Sequence, residues 1–119
     1  MRERAIERRL IQAVRQCGGL ALKFVSPGFN GVPDRLLLFM GGKVAFVEVK
    51  APGEKPRPLQ IHRMEQLKRM GFPVYVVDAF DQISVLLKEL LPQESLGRRG
   101  PGGDRKAPWE RSINEVQST

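Results

Sequence analysis

The chain has 119 residues, room for one small domain. It is 41% hydrophobic, enough for a packed core, yet its longest apolar run, Leu36–Met40, excludes a membrane-spanning helix of about 20 apolar residues. The single cysteine, Cys17, excludes an internal disulfide, and Met1-Arg2-Glu3-Arg4 opens no apolar signal segment, so the expected location is the cytosol of a bacterial or phage-infected cell. The net charge is +7; residues 1–91 hold 15 Lys and Arg against 9 Asp and Glu (15 − 9 = +6) and the remainder 5 against 4 (+1), so the basic surplus lies on the folded part and suits a polyanion, nucleic acid ahead of an anionic membrane.

The first element predicted is an amphipathic helix over 3–17. Ile6, Leu10, Val14 and Cys17 recur at helical spacing, Arg4, Arg8, Arg9 and Arg15 fall elsewhere, and Gly18-Gly19 stops it. Leu20–Val25 has strand character, and Ser26–Val32 is a loop rich in Pro, Gly and Asn. Asp34–Met40 and Val44–Lys50 read as two strands joined by the Gly41-Gly42 turn, a β-hairpin. A loop with three prolines leads to a helix from Pro58 to about Met70, Pro being suited to a first helical turn. Val74–Val77 is a short buried strand, and Phe80–Leu91 a last helix. The order is α-β-β-β-α-β-α, an α/β domain over 1–92. Residues 93–119, with the run Gly97–Gly103, read as a basic Pro/Gly-rich tail without periodicity, expected to be disordered.

Chemistry concentrates on the hairpin. Glu48 and Lys50 are two apart on one strand, so both side chains leave the same face. The tight turn brings Asp34, at the start of the first strand, near the end of the second. Two carboxylates and an ammonium then meet at one end of the sheet. Hard oxygen ligands of this kind hold Mg²⁺, which polarises a phosphate and acidifies a bound water. The lysine can position that water or offset charge developing on the phosphoryl oxygens. Without a metal, two carboxylates would repel a phosphate, so the cluster itself argues for one.

Glu7 lies on the inward stripe of the first helix, where a carboxylate is costly unless paired or ligating. Glu3, one turn earlier, is the competing residue, and an ion pair of Glu7 with Arg4 or Arg8 is the structural alternative. His62 has no second His or Cys beside it, which argues against zinc.

Pro33-Asp34, then Glu48-Val49-Lys50, resembles the PD-(D/E)xK nuclease pattern. The ordered set GVPDRLLLF (31–39), VAFVEVKAPG (44–53), PLQ (58–60) and GFPVYVVD (71–78) is similar to the stand-alone VRR-NUC domains of phages and bacteria. The resemblance spans about 1–90. It implies a restriction-endonuclease-like fold, a central mixed β-sheet flanked by helices, with Mg²⁺ or Mn²⁺ as cofactor. Metal ligands would be Asp34, Glu48, the Val49 carbonyl and the helical carboxylate Glu7. Lys50 would be the catalytic lysine, and Gln60 would support the site. The implied activity is hydrolysis of DNA, with branched substrates such as Holliday junctions cut by a homodimer. Lys23, Arg35, Lys55 and Arg57 are the expected phosphate contacts. The chain departs from relatives in having Met64 four residues after the glutamine, where an aromatic is common, and Arg57-Pro58 ahead of it, where Ser or Thr is common. A DNA-binding module without catalysis and a small basic structural protein are the rival readings. The first has no use for clustered carboxylates, and the second none for Glu48 and Lys50 in a buried strand.

Overall fold

The computed structural model describes residues 2–91; the expected domain boundary at 92 and the tail 93–119 lie outside the described residues. The elements are α1 (Arg2–Gln16), β1 (Leu20–Lys23), β2 (Arg35–Phe39), β3 (Lys43–Val49), α2 (Pro58–Arg69), β4 (Val74–Val77) and α3 (Asp81–Leu90). Every predicted element is present, with ends within about two residues of those read from the sequence. Among the described residues no helix is long and apolar enough to cross a membrane.

The strands form one mixed sheet in the order β1-β2-β3-β4. β1, β2 and β3 are antiparallel neighbours, and β3 pairs with β4 in parallel. The antiparallel pair β2–β3 needs only a tight turn, and Gly41 and Gly42 supply it with φ of +82° and +78°, a backbone region costly for residues with a Cβ. The parallel pair requires a crossover, which α2 provides.

Alternation along β3 divides its side chains between two environments. Ala45, Val47 and Val49 join Leu37 and Phe39 against Ile6, Leu10 and Val14 of α1 and Ile83, Leu86, Leu87 and Leu90 of α3. The opposite face carries a smaller cluster, Phe46 with Met64 of α2 and Val74 of β4. Cys17, expected in the core, is half-buried and packs against the larger cluster. Glu48 and Gln60 are the buried polar residues among those described.

Candidate active site

The hairpin register sets the site. Arg35 stands opposite Val47, so Asp34, one residue before it, comes level with Glu48 at the open end of the sheet. The Asp34 carboxylate accepts a hydrogen bond from the Val49 backbone N–H at 3.3 Å. Glu48 leaves the next residue of β3 on the α2 side, with only 2% of its side chain exposed. Its Oε2 accepts from the Gln60 amide at 2.8 Å and lies 3.3 Å from the Lys50 ammonium.

Gln60 is held at both ends. It occupies the third position of α2, and its Oε1 accepts the Arg57 backbone N–H at 2.8 Å, the return half of a capping box. That bond fixes the amide so that its NH₂ faces Glu48. One local capping interaction therefore orients a carboxylate on another element.

Glu48 Oε1 is buried without a hydrogen-bond partner. A buried, unpaired carboxylate oxygen is costly, and native interiors leave few such atoms. Burial raises the Glu48 carboxyl above its ordinary range; the negative charge of Asp34 adds to this and Lys50 opposes it. Asp34 is also raised, first by burial and then by the charge of Glu7, against the Val49 N–H and the charges of Lys50 and Arg35. Two carboxyls held above their usual range, one with a free buried oxygen, are suited to a divalent cation, which favours their charged forms. The donor set is all oxygen, as Mg²⁺ or Mn²⁺ requires.

Of the two candidate carboxylates of α1, Glu3 is exposed and Glu7 is the one turned toward this end of the sheet. Its Oε2, however, is held by Arg35, whose Nε and Nη2 both lie 3.1 Å away. Arg35 and Asp34 are successive residues and leave the strand in opposite directions, which sends Arg35 to the α1 side. Among the described residues no group of three or more His, Cys, Asp and Glu side chains gathers at metal-holding distance. The structure thus brings together Asp34, Glu48, Lys50 and Gln60, with Glu7 beside them in an ion pair. The same pair, with a contact to the Ala21 carbonyl at 3.4 Å, engages the arginine expected on phosphate. Lys23, Lys55 and Arg57 are exposed.

Two further residues hold the loops around the site, and sequence patterns do not single them out. Asp78, after β4, accepts the Gly53 N–H at 3.4 Å and ties the loop that follows Lys50 to the sheet. Arg63, one turn after Gln60, reaches the Asn30 carbonyl at 2.7 Å. Asp78 closes the stretch GFPVYVVD; the helical spacing from Gln60 was the available signal for Arg63.

The chain is similar to known proteins in sequence and in fold. Residues 2–81 match the sequence model of the VRR-NUC domain. A protein of Acyrthosiphon pisum secondary endosymbiont phage 1, named "Putative nuclease p44", is 51% identical over 86 residues, covering 72% of this chain and 92% of that protein. A solved structure described as a VRR-NUC domain superposes with a TM-score of 0.71 at 31% identity, covering 74% of this chain and 96% of the other.

Proposed function

The chain belongs to the VRR-NUC domain family, with its restriction-endonuclease-like α/β fold, and on that premise we propose that it is a divalent-metal-dependent DNA endonuclease. The observation that carries the reading is the unpartnered, buried Oε1 of Glu48 beside Asp34. Asp34, Glu48 and the Val49 carbonyl are the residues that would hold Mg²⁺ or Mn²⁺, with Glu7 as the helical carboxylate next to them. When bound, the ion would polarise the phosphodiester and lower the pKa of an attacking water.

The chain's own groups supply the rest. Gln60 fixes the Glu48 carboxylate so that one oxygen stays free for the ion. Lys50, held against the other oxygen, is placed to orient the water and to offset charge on the phosphoryl oxygens. In-line attack leaves 5′-phosphate and 3′-hydroxyl ends. Lys23, Lys55 and Arg57 are the exposed cations that would meet DNA phosphates, making binding strongly salt-dependent. Branched DNA such as a Holliday junction is the proposed substrate. Two symmetric nicks need two sites related by a two-fold axis, hence a homodimer. The work of such an enzyme would lie in the bacterial or phage-infected cytosol.

The test is a panel of junction, flap, nicked, linear and supercoiled DNA with Mg²⁺ or Mn²⁺. Metal-dependent nicking, strongest on the junction and lost in Lys50→Ala, is expected. Equal DNA binding with and without EDTA and no cleavage of any substrate would overturn it in favour of a binding module on a nuclease fold.

A further inference from the structure

The loop between β1 and β2 carries an aromatic side chain in an unusual setting. Ser26, Pro27, Gly28 and Phe29 form a turn closed by the Phe29 N–H on the Ser26 carbonyl at 3.1 Å. Pro precedes a glycine with φ of +80°, the signature of a type II turn. The turn presents Phe29 outward with 44% of its surface exposed. The Arg63 guanidinium lies 3.7 Å from the centre of its ring. Arg63 is itself fixed, its Nε on the Asn30 carbonyl at 2.7 Å and its Nη1 on Gln66 Oε1 at 3.0 Å. Gly31 seals the loop onto α2; a Cβ there would meet Leu59 at 2.7 Å.

The place of this stack relative to the site follows from helix geometry. Arg63 is three residues after Gln60, so the two share a face of α2, about 4.5 Å apart along its axis. Gln60 holds Glu48. Asn30, which follows Phe29 and accepts from Arg63, lines an open groove of about 570 Å³ with Gly31, Arg57, Pro58, Leu59 and Gln60, within the size range of small-ligand sites. A cationic residue, Arg57, stands on its wall. An aromatic ring backed by a fixed guanidinium thus stands beside Asn30, at the rim of a groove that Gln60, the partner of Glu48, also lines.

We propose that Phe29, backed by Arg63, is a stacking platform for an unpaired nucleobase next to the scissile phosphate. The inference rests on the nuclease reading and narrows its substrate to DNA with a splayed or unpaired nucleotide at the cut. Inside a duplex a base has both faces occupied and cannot reach the ring. An unpaired base gains a partner of the same shape, and such stacking tolerates any sequence because every base has a π-face.

The test compares two DNA substrates of identical sequence, one with an unpaired nucleotide beside the cut and one fully paired. Truncating the ring in Phe29→Ala or Phe29→Leu should lower the preference for the unpaired substrate roughly tenfold, while Phe29→Trp should keep it. Binding is read separately from cleavage, with Ca²⁺ in place of Mg²⁺ and 2-aminopurine at the unpaired position. Wild type and Phe29→Trp should quench its fluorescence, and the truncated proteins should not. Equal quenching by wild type and both truncations, or a loss of cleavage equal on the two substrates, would overturn the platform. Quenching without cleavage of any DNA would refute the hydrolytic reading and leave the platform standing.

Discussion

On the face covered by α1 and α3 the sheet buries Leu37, Phe39, Ala45, Val47 and Val49 against the apolar side chains of those helices, and its charged groups Arg35 and Glu7 are paired with each other. On the face under α2, buried Phe46 and Met64 have Glu48 and Gln60 as neighbours in burial. One strand, β3, serves both, giving Ala45, Val47 and Val49 to the first and Phe46 and Glu48 to the second. The first face gathers most of the apolar burial that holds the fold together. The second has the smaller apolar cluster and keeps a carboxylate oxygen without a partner. A site that stores unfavourable burial in this way depends on the other face for its stability.

Substitutions on the two faces should therefore fail in opposite ways. Asp34→Asn should lower cleavage by roughly a hundredfold or more, the scale of losing one group that stabilises a transition state, while urea denaturation shows the fold intact. Leu10→Ala, at a fully buried position of α1, should cost about 2–5 kcal/mol in the same denaturation experiment. Whatever fraction stays folded should cut at the wild-type rate. Equal stability losses for the two variants would erase the distinction between the faces.

Next in size is Gln60→Ala, which frees the Arg57 N–H and leaves Glu48 Oε2 with Lys50 as its remaining partner. Partners that orient metal ligands are worth on the order of 10- to 100-fold in metal affinity or activity. The loss should appear as a higher metal requirement, seen by titrating Mg²⁺ in the cleavage assay. A rate deficit that no concentration of Mg²⁺ repairs would place Gln60 in the chemistry instead.

The smallest effect is that of pH. Burial first, and then neighbouring negative charge, raises the Asp34 and Glu48 carboxyls, so the metal-free fold favours their protonated forms. Their contribution to stability is complete below the ordinary carboxylate range and is lost as pH rises through the raised values. Glu48→Gln should thus melt a few degrees above wild type at neutral pH without metal. Metal binding has the opposite sign, because it needs the charged forms. Activity should fall on acidification at a higher pH than an exposed carboxylate would dictate. A wild-type melting temperature equal to that of Glu48→Gln at neutral pH would show that the buried charge carries no cost.

Local patterns made most of this legible. Helical spacing of Ile6, Leu10 and Val14 located α1, and Gly41-Gly42 between two apolar runs located the hairpin. Strand alternation put Glu48 and Lys50 on one face, and the hairpin brought Asp34 level with them; these are properties of short segments. Gln60 entered only through the resemblance to VRR-NUC domains, since nothing within α2 says where the helix lies over the sheet. The partner of Glu7 was less accessible still. Arg4 and Arg8, its neighbours along the helix, were the obvious candidates, yet Arg35 is 28 residues away and reaches it because β2 turns alternate side chains to opposite faces. The Arg63–Phe29 stack likewise joins a helix to a loop 34 positions earlier, with no periodic signal in either.

Calorimetric titration of Mn²⁺ into wild type and Glu48→Gln without DNA asks whether Asp34 and Glu48 form a divalent-cation site. Saturable binding by wild type, with heat stabilisation of roughly 2.7 kcal/mol at a hundredfold excess over the dissociation constant, and neither in Glu48→Gln, is the predicted result. Binding of equal strength by both proteins, or by neither, would contradict it.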